Sequence, residues 1–198
     1  IRVYASAPEN CRQRVIVTPT KTAAPTAGGV AYMNSWNWTG DTPCWAFYAT
    51  GKSAAEVISH EAGHTLTLGH DGRIDPYNEG YFGGHGSGAT GWAPIMGVGY
   101  YKPVAQWSKG EYAYANNAED DLAKITANNN RVDYRPDDSG SALAGARHLD
   151  IATDFSAFAE GVIETTGDTD ALRFTTAGGA VTLTALPVGG DWADLAIQ

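Results

Sequence analysis

Alternation of apolar and polar positions predicts two short β-strands in the first part of the chain. RQRVIVTPT, residues 12–20, alternates and is rich in β-branched side chains, which is typical of a strand. GGVAYMNSW, residues 28–36, has a similar character, and its leading glycines suit the edge of a sheet. A turn-rich loop then leads to the short apolar stretch AFYAT, residues 46–50.

The clearest helical pattern begins at Ser53. Ser53 and Glu56 have the spacing of a capping box, which predicts Ser53 as the N-cap. Gly69 is a suitable residue to end this helix. Behind the cap, the stretch AAEVISHEAGHTLTL offers an apolar face made of Val57, Ile58, Ala62 and Leu66.

A second helix is predicted over residues 116–129, where an Asn cap precedes acidic residues in the first turn. Before it, residues 72–91 are rich in Gly, Asp, Asn and Tyr and show little periodicity. A loop of this length inside a compact domain usually has a function. The apolar turn WAPIMGVGYY, residues 92–101, separates the two segments.

A change in pattern predicts a domain boundary after residue 135. The Pro-, Asp-, Ser- and Gly-rich stretch PDDSGSALAG opens a linker, residues 136–157. Two alternating runs beyond it flank an Ala-Gly-Gly turn, which is a hairpin signal. We therefore predict an α+β domain over residues 1–135 and the beginning of a β-sandwich, cut short, over residues 158–198.

Composition narrows the classes of function. The chain has 198 residues, of which 43% are hydrophobic and 18% charged, as in a folded globular protein. Its net charge of −9 argues against nucleic acid or an anionic membrane as the main partner. No apolar run approaches the roughly 18 residues of a membrane span. The chain opens with the strand-like IRVYASAPENC and without Met, which we interpret as part of a longer precursor.

The chain has two cysteines, Cys11 and Cys44, each near the edge of a strand-like segment. We predict that they form a disulfide, which would stabilise the fold by roughly 3–4 kcal/mol through loop entropy and would indicate an oxidising compartment. The alternative is a pair of unrelated buried thiols.

The stretch HEAGHTLTLGHD, residues 60–71, predicts a metal site. His60 and His64 are four residues apart on one helix face, so that both imidazoles can reach one ion at about 2.0–2.1 Å. Glu61 lies beside them and is placed to hold a water molecule rather than the ion. His70 can join them only if the helix ends after His64 and the chain turns back.

Three alternatives to a catalytic three-histidine site remain open. Glu79 or Glu111 could be the third ligand, as in gluzincin peptidases, with His70 idle. His85 could complete a closed structural site, although such sites favour Cys and have no use for Glu61. The chain could also be a non-catalytic adhesion or binding module that retains a vestigial site.

Residues 60–70 resemble the metzincin signature of zinc metallopeptidases, HExxHxxGxxH, and Pro94-Ile95-Met96-Gly97 resembles its Met-turn. Asp71 after the third histidine is similar to the adamalysin (reprolysin) branch. The nearest likeness is a bacterial secreted protease with a pre-peptidase C-terminal domain. The resemblance covers residues 12–130, and more weakly the segment from Phe158. It implies that the first strand and helix of the domain precede Ile1.

This resemblance implies a secreted zinc endopeptidase that holds one zinc ion through His60, His64 and His70. Glu61 would activate a zinc-bound water as general base and then carry the proton to the leaving amine. Met96 would form the floor beneath the metal without binding it. No motif indicates calcium.

The resemblance also implies that an extended peptide substrate pairs with an edge strand. The residues of that strand are Gly28, Gly29, Val30, Ala31, Tyr32 and Met33. An ordinary protected sheet edge is the alternative interpretation of this segment.

Thr67 departs from the signature, which has Gly at this position. A residue that leaves the helix there needs φ > 0, which costs a β-branched side chain about 1–2 kcal/mol. Either Thr67 accepts this strain while His70 is held at the metal, or the helix runs on to Leu68 and ends at Gly69. We favour the first arrangement.

Overall fold

The computed structural model describes residues 13–48 and 51–185. Within these ranges the chain forms two compact units that divide between Val132 and Asp133. The division lies close to the predicted boundary after residue 135. Mixed small sheets and short helices agree with an α+β class.

The first unit contains β1 (Val15–Val17), β2 (Gly29–Val30), β3 (Cys44–Ala46), α1 (Gly51–Thr65), a 3-10 turn (Gly88–Thr90), β4 (Trp92–Pro94), β5 (Val104–Gln106) and α2 (Asp121–Ile125). Three of its strands form a sheet in the order β1-β3-β2. β1 runs parallel to β3 with Ile16 opposite Trp45, whereas β2 runs antiparallel with Val30 opposite Trp45. β4 and β5 form a separate parallel pair.

The strands lie where alternation placed them but are shorter than predicted. β1 occupies the centre of residues 12–20, while β2 covers only two residues of 28–36. The third strand begins at Cys44, ahead of the predicted apolar stretch. Because Asn34 and Trp36 donate backbone hydrogen bonds to the end of α1 rather than to a strand, the segment after Val30 leaves the sheet.

The predicted N-cap of the first helix is wrong. α1 begins at Gly51, so Ser53 lies inside its first turn. Glu56, the expected capping-box partner, instead forms an ion pair with Lys52 one turn earlier. An i, i+4 pair between these two side chains replaces the contact that the capping box required.

The second helix is shorter than predicted and has a different cap. α2 begins after Asp120, whose side chain accepts a hydrogen bond from the Ala123 amide at 3.0 Å. Asn117, part of the predicted Asn cap, instead accepts a hydrogen bond from the Glu119 amide at 3.0 Å. An acidic residue, Asp120, therefore supplies the cap itself.

The core of the first unit lies beneath the C-terminal half of α1. Its buried members are Leu66, Leu68, Met96 and Ile125. A Cβ on Gly63 would stand 2.6 Å from the Met96 sulfur, so only glycine allows α1 to approach the 94–97 turn this closely. This contact sets the distance between α1 and Met96.

Cys44 is buried in β3, and burial raises the pKa of its thiol to about 12. Its predicted partner, Cys11, lies outside the described residues. The disulfide therefore stays a prediction.

The second unit contains β6 (Arg147–His148) and β7 (Leu172–Arg173), which pair in parallel. Residues of the predicted linker belong to it: Ser139 Oγ donates to the Ala171 carbonyl at 2.6 Å. Residues 180–185, beyond the glycine turn, form no strand among the described residues, so the predicted hairpin is not formed there. None of the helices in the described ranges is long and apolar enough to cross a membrane.

Candidate metal centre

Three imidazole rings converge at the end of α1. His60 and His64 project from the helix, and His70 reaches them from the segment that follows. One ring nitrogen from each lies within 4.8 Å of the other two. The Nε2 atoms of His64 and His70 are 2.9 Å apart. Three nitrogens bound tetrahedrally to zinc would stand roughly 3.3 Å apart, so a small adjustment of the rings fits the ion.

Backbone carbonyl groups fix the orientation of the two helical histidines. His60 Nδ1 lies 2.9 Å from the Ile95 oxygen, and His64 Nδ1 lies 2.8 Å from the Leu68 oxygen. Since a carbonyl can only accept, each Nδ1 carries the proton and donates it. Each Nε2 is thereby left with a lone pair, which is the arrangement that a metal ligand requires.

The surroundings keep the three rings neutral. Burial lowers the pKa of His60 to about 4, and the neighbouring rings add to the effect. Burial also lowers the pKa of His64 and of His70. Neutral imidazole is the form that binds a metal ion, so few protons compete for this site near pH 7.

The helix ends in a Schellman motif with Thr67 in the left-handed position. The Leu68 amide donates to the Gly63 carbonyl at 3.0 Å, and the Thr67 amide donates to His64 at 3.0 Å. Thr67 has φ of 80°, whereas Gly69 is not among the residues with positive φ. The left-handed backbone expected at Thr67 is therefore confirmed, and the continuation of the helix to Leu68 is wrong.

Two contacts hold Thr67 in this conformation. Its Oγ1 donates to Asn34 Oδ1 at 3.0 Å, and its carbonyl accepts from Lys124 Nζ at 3.3 Å. Backbone strain at a β-branched residue is thus partly offset by a side-chain contact that glycine could not make.

Thr67→Gly is expected to stabilise the zinc-loaded protein, by about 1 kcal/mol or less. Relief of strain worth about 1–2 kcal/mol exceeds the lost hydrogen bond and the added flexibility of the unfolded chain. Thr126→Gly is the matched control, because Thr126 also follows a helix and makes a side-chain hydrogen bond but has φ of −87°. The control should lower the melting temperature; an equal fall in Thr67→Gly would mean that position 67 is not strained.

Glu61 follows His60 in α1 and is not a member of the ligand group. Its side chain is only 6% exposed, and burial raises its pKa to about 7. A Cβ on Gly29 would fall 2.6 Å from Glu61 Oε1 and 2.5 Å from the Trp45 carbonyl, so β2 and Glu61 touch only because residue 29 is glycine. The carboxyl group is therefore fixed next to the sheet edge.

Met96 is fully buried beneath α1 and is not a member of the ligand group. The Gly97 amide donates to the Pro94 carbonyl at 3.0 Å, which closes the turn predicted around it. The Met96 carbonyl accepts from the Asp71 amide at 2.9 Å. This hydrogen bond joins the turn to the residue that follows His70.

β2 lies at one side of its three-stranded sheet. Of the predicted edge segment, Gly29 and Val30 form the strand, Gly28 precedes it, and Ala31, Tyr32 and Met33 lie beyond it. The side chains of Val30, Tyr32 and Met33 are exposed. The strand that borders Glu61 thus has an accessible outer face.

The residues considered as alternative ligands lie elsewhere. Glu79 pairs through both carboxylate oxygens with Arg73, at 2.7 and 2.8 Å. Glu111 contacts Lys109. His85 stacks near Trp92, with ring centroids 5.3 Å apart. In the described part of the chain, none of the three belongs to a metal-ligating group with His60 and His64.

Two features of the site became visible only in the structure. Tyr81, in the loop 72–91, places its half-exposed ring 4.3 Å from that of His70 and 6.1 Å from that of His60. Asp71 is buried, and burial together with the charge of Asp121 raises its pKa to about 7. The Tyr81 contacts follow no helix or strand period, so only the folded loop reveals them, and the sequence marked Asp71 only by its place after His70.

Comparison with known proteins gives no further assignment: no family model, curated protein or solved structure matches the chain.

Proposed function

We propose that the chain is a secreted, metzincin-like zinc endopeptidase. The observation that carries the proposal is the convergence of three neutral imidazoles, one ligand nitrogen from each within 4.8 Å of the others, together with the buried carboxyl of Glu61, which follows His60 in α1 and takes no part in the ligand group. A structural zinc site has no use for such a carboxyl group, whereas a hydrolytic site requires a base at this place.

The donor set fits zinc. His60, His64 and His70 would hold one ion and leave its fourth position open. Bound zinc would supply Lewis acidity, which polarises a peptide carbonyl and acidifies water. Calcium, a hard cation that prefers oxygen ligands, does not suit three nitrogens.

Glu61 would perform the proton transfers. Its raised pKa, about 7, makes the carboxylate a stronger base than an exposed glutamate. In the proposed reaction, Glu61 removes a proton from the attacking water and passes it to the nitrogen of the leaving amine. Gly29 fixes the carboxyl group from one side, so that it needs no rearrangement before each transfer.

The substrate would be an extended peptide bound along β2. This strand lies at a sheet edge and borders Glu61 through Gly29, so a peptide added to the edge passes the base. Tyr32 and Met33, which follow β2, are exposed, so this end of the sheet edge is open to a peptide. No role for nucleic acid or membrane enters the proposal.

Metal analysis combined with a peptidase assay tests the proposal. The purified protein is expected to contain one zinc ion per chain and to cleave casein or a quenched peptide library. A zinc chelator should abolish cleavage, and added zinc should restore it. One bound zinc without cleavage of any peptide would contradict the enzyme and favour a binding module.

A further inference from the structure

A polar pocket lies beyond the C-terminal end of β2. It has a volume of about 450 Å³ and is lined by Asn34, Asn37, Trp38, Asn129 and Arg131. Arg131 is its one charged residue, and no acidic side chain lines it. We propose that this pocket is a specificity site, in which Arg131 binds a carboxylate side chain of the peptide substrate. This proposal rests on the proposed peptidase function.

Arg131 is available for a ligand. The ion pairs of the described residues do not include it, and its side chain is exposed in the pocket. Within the described ranges, Lys21, Lys102, Arg135 and Arg173 also form no ion pair, and Arg131 differs from them by its place in the pocket lining. A guanidinium group presents a planar fork of donors that matches a carboxylate.

Both walls of the pocket are held rigidly. On one side, the Asn34 and Trp36 amides donate to the carbonyls of His64 and Thr65, each at 3.0 Å. On the other side, buried Asn130 donates to the Lys124 carbonyl at 2.8 Å. The Trp36 indole joins the two sides by donating to the Asn130 carbonyl at 2.9 Å.

Two lining residues have backbone conformations that are costly for non-glycine residues. Asn34 has φ of 59° and Arg131 has φ of 53°. Asparagine tolerates the left-handed region, but arginine has no such preference. Strain that is held in place by surrounding contacts is frequent at ligand sites, and here it directs Arg131 into the pocket lining.

The position of the pocket indicates which part of the substrate it receives. Glu61 touches Gly29, so the cleaved bond lies near the start of β2. A peptide that pairs antiparallel with β2, the commoner arrangement in sheets, runs in the opposite direction. Its residues on the N-terminal side of the cleaved bond then pass Val30 and approach Asn34.

The distance along the chain between Gly29 and Asn34 indicates which substrate residue reaches the pocket. Asn34 follows Gly29 by five residues, and the chain turns at residues 33–34 instead of remaining extended. At roughly 3.3 Å per extended residue, the pocket accepts a side chain about two to four residues before the cleaved bond. The ring of Trp38, 6.1 Å from that of Tyr32, offers an apolar surface for the methylene groups of glutamate.

Matched peptides test the pocket. Quenched peptides carry Glu or its isostere Gln at each of the four positions before the bond and, as a comparison set, after it. With the wild-type protein, kcat/KM should be about 5–20-fold higher for Glu than for Gln at one position before the bond. Arg131→Gln should reduce this ratio to about 2 or less, whereas Lys21→Gln, which removes an equal charge outside the pocket, should retain it.

Binding to Glu61→Gln separates this proposal from the peptidase proposal. Calorimetry with the same peptides measures recognition without cleavage. Arg131-dependent preference for Glu in binding, without cleavage by the wild-type protein, would contradict the peptidase and support the pocket. Equal values for Glu and Gln in both assays, or a preference located after the bond, would overturn the pocket as proposed.

Discussion

Glu61→Gln is expected to lower kcat/KM for peptide hydrolysis by about 10²–10⁴-fold while zinc remains bound at one ion per chain. This range is the usual contribution of a general base. Glutamine has the size of glutamate, so it preserves the packing against Gly29 and Trp45, but its amide cannot accept the proton. Steady-state kinetics together with metal analysis on the same sample measure both quantities.

Glu56→Gln is the matched control, because Glu56 lies on the same helix and pairs with Lys52 instead of bordering the metal centre. The control should keep zinc and nearly full activity. If Glu61→Gln cleaved peptides as fast as the parent, Glu61 would not be the base. Loss of zinc from that variant would instead identify Glu61 as a ligand.

The pH dependence provides an independent readout of the same residue. Glu61 must be ionised to take a proton, so activity should fall as pH drops through its pKa. Burial raises that pKa to about 7 in the metal-free protein, and the positive charge of bound zinc should move it lower. The acid limb of the kcat/KM profile is therefore expected below pH 7 and should be missing from the residual activity of Glu61→Gln.

Local spacing predicted the parts of the site that depend on one helix. His60 and His64 meet because residues four apart share a helix face, and Glu61 follows His60 directly in the same helix. Position 67 was predictable for the same reason, since the helix had to end before His70 could return. Thr67 at φ of 80° agrees with that expectation.

Prediction failed where two local signals competed. Ser53 and Glu56 matched a capping box, yet Glu56 also stood four residues after Lys52, and that ion pair formed instead. The second strand was predicted over nine residues but spans two, because amides after it bond to the end of α1. The alternation of apolar and polar side chains does not reveal hydrogen bonds between backbone groups that are distant in the sequence.

The residues that we propose for substrate recognition were the least predictable from the sequence. Tyr81 reaches His70 from a loop without periodicity, and Arg131 meets Asn34 although the two lie almost a hundred positions apart. Metal ligands on one helix follow the helical period of about 3.6 residues, so their spacing can be recognised in the sequence. The walls of a pocket come from segments that are distant in the sequence and share no such spacing. The sequence therefore indicated the histidine cluster better than the residues that line the pocket.

The identity of the third zinc ligand distinguishes the proposed metzincin-like site from the gluzincin alternative. His70→Ala is expected to weaken zinc binding by more than 100-fold, because even loss of a group that only supports a ligand costs about 10–100-fold. Glu79→Ala should leave the affinity unchanged, since the Glu79 carboxylate is paired with Arg73. Competition with a chromogenic zinc chelator measures both variants against the parent.

His85→Ala is the matched control for the loss of one histidine, because His85 packs near Phe82 and Trp92 and does not belong to the ligand group. His85→Ala should bind zinc with the affinity of the parent. Circular dichroism should show that His70→Ala, Glu79→Ala and His85→Ala are all folded. Tight binding in His70→Ala combined with loss in Glu79→Ala would exchange the two roles and contradict the three-histidine site. The 2.9 Å approach of the His70 and His64 nitrogens, made possible by the left-handed exit at Thr67, favours the loss in His70→Ala.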